Sequence, residues 1–142
     1  MTVNGQYPGP TIEANWGDNV QVCVCIQFHG IRQLNRNFAD GAVSQTECPI
    51  APRRLPHYRW KATQHGSSWY HSHYSIQYGD GVLGPVVVHG LKTANYDVDI
   101  GPMLLTDYYH ESVFELAYAS LSQATRHPAH RSERAHQREE RA

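Results

Sequence analysis

Two histidines separated by one residue, His71 and His73, lie in the aromatic segment Trp69–Tyr74 and are well placed to bind a metal. Side chains at positions i and i+2 of an extended strand point to the same face, so both imidazoles can approach one centre. A third histidine, His29, follows the alternating segment Ile26–Phe28 and can bring another imidazole to the same place. Neutral imidazole is a good ligand for Cu, Zn, Ni and Fe. The spacing favours a metal centre, and a copper centre in particular.

Carboxylates near these histidines are few, which limits the chemistry that a metal could support. Asp80 lies seven residues after His73 in a glycine-rich turn, and Asp107 lies on a later predicted strand. Neither is an evident general base beside the histidines, so a zinc hydrolase fits poorly. The alternative is that the His-X-His pattern has no metal-binding role and is only a surface pair or a half-buried histidine.

The composition indicates one ordinary domain. The chain has 142 residues, of which 40% are hydrophobic and 11% aromatic, enough for a single core. A net charge of -1 gives no general attraction to nucleic acid or to an anionic membrane, so neither is an expected partner. No apolar run approaches the roughly 20 residues that span a bilayer, and the segment Met1–Gly5 lacks the features of a signal peptide.

The three cysteines cannot all pair with one another. Cys23 and Cys25 lie two residues apart on one predicted strand face, a geometry that suits a mutual disulfide poorly. Cys48 lies in a loop, where it is either half of a disulfide or an unpaired thiol. At least one free thiol is therefore expected.

Short apolar runs alternate with Gly, Pro, Asn and Asp over residues 1–118, a pattern typical of an all-β sandwich or barrel. The clearest predicted strand is Val20–Phe28, whose even-numbered residues are all apolar and should face inward. Large aromatic residues dominate burial in small β domains. We expect the core to be anchored by Trp16, Trp60 and Trp69, and further strands at His57–Ala62, Ser68–Tyr74, Pro85–His89 and Met103–Tyr109.

The composition changes near the C-terminus, at residues 119–142. Residues 121–142 contain five arginines, three glutamates and three histidines, with one leucine as the only large aliphatic residue. Such a segment cannot bury enough apolar surface to fold, so we predict a disordered polar tail. The tail histidines could bind metal weakly, but nothing fixes their geometry.

Three segments resemble, in order, the fungal laccases of the multicopper oxidase family: Val3–Asp18, Phe28–Asn35 and Ala62–His73. Gly84–Gly90 and Asp99–Tyr109 follow as they do in that family. The resemblance implies the first of three cupredoxin domains, a Greek-key β-sandwich. In the whole family enzyme, a type 1 copper in the third domain takes electrons from phenolic donors. A trinuclear copper cluster between the first and third domains then reduces O₂ to water by four electrons.

The resemblance also implies roles for individual residues. His29 and His71 match ligands to one type 3 copper, and His73 matches a ligand to the other. Gln27 occupies the position of the type 2 copper ligand, which is a histidine in the family, and Phe28 replaces the usual tryptophan. An amide is a poorer copper ligand than imidazole, so we expect this degenerate position to bind copper weakly.

Other departures from the family lie at two junctions. The family has additional residues, including a loop, between the strand matching Val20–Val24 and the strand that carries His29. If Val20–Phe28 is one continuous strand, these two parts cannot fold back on each other, and the copper geometry should fail to form. Family members also have an earlier strand and a signal peptide, and the tail resembles nothing in the family. Faulty splicing or gene prediction is our hypothesis for both junctions.

Two interpretations of function follow. In the first, the chain is part of a secreted laccase that oxidises phenolic or aromatic donors with O₂, and the second and third cupredoxin domains are missing here. In the second, the chain is a noncatalytic copper-binding or unstable fragment, because half of the cluster and the electron entry site are absent. On either interpretation we expect the isolated chain to be inactive. A zinc-binding module is a more distant alternative.

Overall fold

A computed structural model describes residues 1–23, 26–54 and 56–122, and also the backbone of 133–135. Within these ranges, strands are the main regular elements. The strands are β1 (Ile12–Asn15), β2 (Asn19–Cys23), β3 (Gln27–His29), β4 (His57–Lys61), β5 (Gly66–His71), β6 (Leu83–His89), β7 (Thr106–Tyr108) and β8 (Glu133–Ala135). One α-helix, α1 (Val113–Ser122), and two short 3-10 helices, Asn37–Ala39 and Gln77–Asp80, complete the set. The predicted all-β architecture is confirmed.

The strands form two sheets that face each other and a small separate ribbon. The larger sheet has the order β1-β6-β5-β3, in which only the β1–β6 pair is parallel. The second sheet is the antiparallel pair β2–β4. Strands β7 and β8 pair with each other in the ribbon. The arrangement is a sandwich, with one inner face from each sheet.

The core lies between these inner faces. From the second sheet, Tyr58 and Trp60 alternate with exposed residues along β4, as expected for a strand with one wet face. From the larger sheet, the Phe28 ring meets Trp60 edge-on at 5.6 Å and Tyr58 at 6.0 Å between centroids. Edge-to-face contacts at these distances are favourable. This aromatic cluster joins the two sheets.

The pairing of β3 with β5 sets which side chains face the core. Phe28 lies opposite Tyr70, and both are buried on the inner face. Gln27 lies opposite His71, and His29 lies opposite Trp69. Because successive side chains alternate between faces, these four side chains all lie on the outer face of the sheet.

The prediction of one continuous strand over Val20–Phe28 is wrong. Strand β2 ends at Cys23 and β3 begins at Gln27, and the two strands belong to different sheets. The reason is that β2 pairs with β4 whereas β3 pairs with β5, so tertiary pairing overrides a local alternation that continues across the break. The expectation that the histidine geometry would fail to form depended on that continuous strand, so it is no longer supported.

Several other element boundaries differ from those predicted. Strand β5 begins at Gly66 and ends at His71, so His73 lies beyond the strand. Strands β1 and β8 and helix α1 were not predicted from the sequence. Of the predicted polar tail, residues 119–122 form the last turn of α1 and the backbone of 133–135 forms β8, so these residues have regular structure. The other tail residues, 123–132 and 136–142, lie outside the described residues, and their predicted disorder stays a prediction.

Side-chain hydrogen bonds cap the N-terminus of helix α1. The Asp80 carboxylate accepts hydrogen bonds from the Val113 backbone N–H at 2.8 Å and from the Ser112 hydroxyl at 2.7 Å. Ser112 also accepts a bond from the Phe114 N–H at 3.3 Å, and Glu115 follows Ser112 at the spacing of a capping box. A carboxylate at this end also interacts favourably with the helix dipole. Among the described residues, no helix is long and apolar enough to cross a bilayer.

The three tryptophans do not share the predicted role. Trp60 is 3% exposed and belongs to the core, as expected. Trp69 lies two residues before His71 and therefore on the same, outer face of β5. It is half-buried there and is not part of the core, so its predicted role as a core anchor is wrong. Trp16 is 52% exposed and its ring lies 5.2 Å from the ring of His65, so the prediction that it anchors the core is wrong.

Tyr70 holds the histidine-bearing strand against β6. Its hydroxyl donates to the Pro10 carbonyl at 2.9 Å, and burial raises its pKa to about 12. Its ring lies over Gly84, where a Cβ atom would overlap the phenol ring. Glycine at 84 therefore lets the Tyr70 ring occupy the space between β5 and β6.

Replacing Gly84 with alanine should destabilise the domain by about 1–3 kcal/mol, because the added methyl group overpacks the Tyr70 ring. Denaturant unfolding of the G84A chain measures this loss as a change in the free energy of unfolding. In a Y70L background the same glycine substitution should cost much less. Equal costs in the two backgrounds would show that the ring is not the reason for glycine at this position.

Candidate metal centre

Two of the three predicted histidine ligands meet on the outer face of the β3–β5 pair. His29 Nδ1 and His71 Nε2 lie 3.1 Å apart and form a hydrogen bond. His29 is the last residue of β3 and His71 is the last residue of β5, so each ring sits at the end of its strand. The Ser68 hydroxyl donates to the His29 carbonyl, which ties the end of β3 to β5. The antiparallel pairing thus brings together residues that are 42 positions apart in sequence.

The hydrogen bonds around His71 determine its tautomer. His71 Nδ1 lies 2.8 Å from the Ser72 carbonyl oxygen, which can only accept, so Nδ1 carries the proton. In the neutral ring Nε2 is then unprotonated and accepts from His29 Nδ1–H. Metal-binding histidines commonly donate their other ring nitrogen to a backbone carbonyl in this way. The Nε2 lone pair of His71 is therefore directed towards His29.

The surroundings of His71 favour its neutral form. Burial is the largest effect and lowers the pKa of His71, and the nearby His29 and His73 rings lower it further. The bond to the Ser72 carbonyl and the Asp40 carboxylate act in the opposite direction. Since a metal binds the unprotonated ring, the lowered pKa leaves more of His71 able to act as a ligand.

Aromatic rings fix the orientation of His71. The Trp69 ring stacks on it at 4.1 Å between centroids and an interplanar angle of 25°, and Tyr78 meets it edge-on at 5.6 Å. Sequence reasoning assigned no such role to either residue. The signal for Trp69 was available, because it lies two residues before His71 and hence on the same strand face.

His73 lies near this pair but is held separately. Its ring centroid is 6.1 Å from that of His71. The chain between them is anchored because the Ser72 hydroxyl donates to Gln77 Oε1 at 2.6 Å and accepts from the Tyr74 N–H at 3.2 Å. The His73 side chain lines a cavity of about 340 Å³, whose opposite wall includes residues 43, 49 and 50.

Gln27 lies on the same face as the histidine pair, directly opposite His71. Its amide nitrogen donates to Asp40 Oδ2 at 3.1 Å. The Asp40 carboxylate thus contacts Gln27 and also acts to raise the pKa of His71. The pairing occupies the donor end of the amide and leaves only its oxygen as a possible ligand.

The donors fit a metal centre that is completed by other ligands. In the part of the chain that the structure describes, no three His, Cys, Asp or Glu side chains converge so as to hold one ion. Two imidazoles converge and the third lies to one side. Imidazole suits copper well, and the unprotonated Nε2 of His71, whose tautomer is fixed by the Ser72 carbonyl, agrees with such a ligand role. His29 Nδ1 carries the proton of their hydrogen bond, so His29 would have to move that proton to its Nε2 before Nδ1 could bind the same ion.

Four other histidines lie outside this cluster or have contacts of their own. His57 Nδ1 lies 2.8 Å from Cys23 Sγ, the His65 ring lies beside Trp16, and His89 pairs with Glu13 at 3.3 Å. The His110 ring meets Tyr108 edge-on. Cys23 and Cys48 are both free and exposed, in agreement with an unpaired thiol, and Cys25 lies outside the described residues.

Known proteins with similar sequences and structures identify the family of this fold. A sequence model of the family described as multicopper oxidase matches residues 1–93. The chain belongs to the multicopper oxidase family. Members of this family use copper, so copper is the metal to consider at His29, His71 and His73.

Fungal relatives of this multicopper oxidase chain include laccases and other oxidoreductases. The oxidoreductase ptaE of Pestalotiopsis fici is 48% identical over 133 residues, covering 86% of this chain and 22% of the relative. The laccase of Neurospora crassa is 50% identical over 126 residues, covering 82% of this chain and 20% of that protein. This chain therefore spans about a fifth of the length of these relatives.

A solved laccase structure confirms the cupredoxin-like fold. The laccase of Botrytis aclada superposes with a TM-score of 0.79 at 47% identity. The superposition covers 82% of this chain and 23% of the laccase. The resemblance to fungal laccases inferred from the sequence is thus confirmed for the first domain.

Replacing His71 with alanine should weaken Cu(II) binding by the folded chain about tenfold or more, because it removes a donor whose tautomer is already fixed. Isothermal titration calorimetry with copper measures the affinity and the stoichiometry. The matched control is H89A, which removes an exposed histidine outside the cluster. If H71A binds as tightly as the unaltered chain, the copper is held elsewhere, for example by the cysteines or the tail histidines.

Proposed function

We propose that this chain is the first cupredoxin domain of a laccase-type multicopper oxidase and contributes His29, His71 and His73 to its copper cluster. The observation that carries the proposal is the His29–His71 contact of 3.1 Å between the ends of two paired strands. Two imidazoles at this distance can bind one ion together once His29 moves its proton from Nδ1 to Nε2, because the Ser72 carbonyl already leaves His71 Nε2 unprotonated.

His73 serves a second ion in this proposal. Its ring lies 6.1 Å from that of His71 and borders a separate cavity, which supports ligation of a neighbouring copper. Two ligands for one ion and one for another leave both coordination shells incomplete. The remaining ligands would come from the parts of the relatives that this chain does not span.

The Gln27 position is the weakest part of the copper site. Its amide is paired with Asp40 and offers only an uncharged oxygen, which binds copper less well than an imidazole. We propose that the type 2 copper position is poorly occupied in this protein.

The whole protein would be a secreted oxidase of phenolic or aromatic donors. Copper would supply the one-electron redox chemistry that couples donor oxidation to the four-electron reduction of O₂. Within this chain, Trp69 and Tyr78 orient the His71 ring, and Ser72 keeps the Nδ1 proton away from the metal-facing nitrogen. The donor pocket and the electron entry site lie outside these residues.

A second candidate function is copper binding without catalysis. It is favoured by Gln27, and by the lack of any three-donor group among the described residues. Under this alternative the 142-residue chain binds copper but catalyses no reaction.

The two functions are separated by the transcript and by activity. Laccase function predicts a message that continues beyond Leu116 into a segment encoding His-Cys-His, and a product that consumes one O₂ for every four electrons taken from a phenol. The copper-loaded 142-residue chain should show no O₂ uptake above that of free copper. A message that ends after Ala142 would contradict the laccase proposal, and O₂ uptake by the short chain would contradict its inactivity.

Replacing Gln27 with histidine should strengthen copper binding about tenfold, because a third imidazole then projects from the same sheet face as His29 and His71. Copper titration of Q27H against the unaltered chain measures the change. The control is Q45H, which places a histidine in an exposed loop. Equal gains in both variants would mean that any added histidine binds copper and that position 27 has no special place.

A further inference from the structure

A groove with positive charge runs along the outer face of the second sheet, away from the histidines. It encloses about 520 Å³, and its polar walls come from β2, β4 and the loop before the first 3-10 helix. We call it the β2–β4 groove, and the residues that matter for its chemistry are Asn19, Gln21, Leu34, Arg36, Arg59 and Lys61.

The strand register places amides beside cations in this groove. Asn19 lies opposite Lys61, and Gln21 lies opposite Arg59. All four residues are exposed, because Tyr58 and Trp60 take the inner positions of β4. Arg59 and Lys61 are two residues apart on a strand, so their Cα atoms are separated by about 6.6 Å. The outer face therefore presents a short row of positive charges next to neutral hydrogen-bonding groups.

The described residues provide no neutralising partner for these charges. Within the described ranges, no carboxylate pairs with Arg36, Arg59 or Lys61, and no acidic residue lines the groove. Two carboxylates near these strands in sequence are engaged elsewhere. Asp18 accepts from the Asn15 backbone N–H at 2.7 Å, and Glu47 accepts from the Tyr58 hydroxyl at 2.7 Å. In a chain of net charge -1, this is a local basic site rather than a reflection of overall charge.

The set of groups indicates the chemistry of a ligand. A guanidinium binds a carboxylate through two parallel hydrogen bonds, and side-chain amides both donate to and accept from hydroxyl groups. Leu34 is 46% exposed at the groove and offers an apolar contact. A nucleic acid strand is disfavoured, because it would need a row of free aromatic rings for base stacking. Among the described residues that line the groove only Trp60 is aromatic, and it is 3% exposed, while the exposed Phe38 ring nearby is covered by the Arg36 guanidinium at 5.7 Å.

We propose that the β2–β4 groove binds an acidic oligosaccharide, with sugar carboxylates at Arg36, Arg59 and Lys61 and sugar hydroxyls at Asn19 and Gln21. Gln21 would contribute its amide oxygen, since its amide nitrogen lies 3.2 Å from His57 Nδ1. The site lies on the β2–β4 sheet, whereas His29 and His71 lie on β3 and β5 of the other sheet. Binding at the groove therefore does not require the copper ligands, and the inference does not depend on the proposed oxidase function.

The test is a calorimetric titration of the full chain with trigalacturonic acid, a linear sugar with one carboxylate per residue. Binding should be measurable at low ionic strength and should weaken as salt is added. The variant R59E/K61E should lose at least about tenfold in affinity, because two contacts to carboxylates become repulsive. Both positions are exposed, so the circular dichroism spectrum should be unchanged. If this double variant does not fold, R36E tests the same groove from the loop and should also weaken binding.

Controls separate a built site from general charge attraction. R32E/K92E makes the same change in net charge at two exposed residues outside the groove, and it should bind trigalacturonic acid like the unaltered chain. Maltotriose, a neutral trisaccharide, should bind much more weakly. Equal losses in both double variants, or equal binding of maltotriose, would overturn the proposal. Tighter binding of inorganic polyphosphate than of the sugar would also overturn it, in favour of a phosphate polymer.

Discussion

The antiparallel pairing of β3 with β5 is the interaction on which both the core and the candidate metal centre depend. On the inner face it puts Phe28 beside Tyr70, and on the outer face it brings His29 to His71. A shift of one residue would move the histidines into the core and the aromatic rings into solvent. The buried aromatic residues thus determine the register, and the register determines the histidine geometry. Core packing and ligand placement cannot vary independently here.

The change of sheet between Cys23 and Gln27 is what allows this pairing. Strand β2 covers one side of the aromatic cluster with β4, and β3 covers the other side with β5. Both strands contribute apolar side chains to the same core, because Val20 and Val22 pack against the cluster that contains Phe28. A single alternating sequence therefore serves two sheets. The alternation identifies the inner face correctly, yet it does not indicate that β2 pairs with β4 and that β3 pairs with β5.

The parts of the site that the sequence predicted are those set by local spacing. The pair His71 and His73 and the facing His29 were identified from strand periodicity, and the resemblance to laccases placed all three as ligands. The pairing of Gln27 with Asp40 could not be predicted, because 13 positions separate them and the loop between carries no strand or helix signal that fixes its path. Trp16 was misplaced because aromatic size alone does not determine which sheet face a residue occupies.

Helix α1 was missed for a different reason. The Ser112–Glu115 spacing of a capping box was present in the sequence, but α1 has no buried residue and so shows no strong apolar stripe. Its first turn is instead fixed by Asp80, which is more than 30 positions away in sequence. Local signals predict such an element only when capping is weighed together with hydrophobic periodicity.

The His29–His71 hydrogen bond also satisfies the buried polar atoms of the candidate site without a metal. A buried imidazole nitrogen without a partner is costly, and His71 is 6% exposed. Ser72 satisfies Nδ1 of His71, and His29 satisfies Nε2, so neither ring nitrogen of His71 lacks a partner in the protein alone. An ion bound at Nε2 would replace that hydrogen bond with a coordination bond, and the stacked Trp69 ring and the strand pairing would still hold the His71 ring. The same register that packs the core therefore keeps the candidate ligands together through hydrogen bonds within the protein.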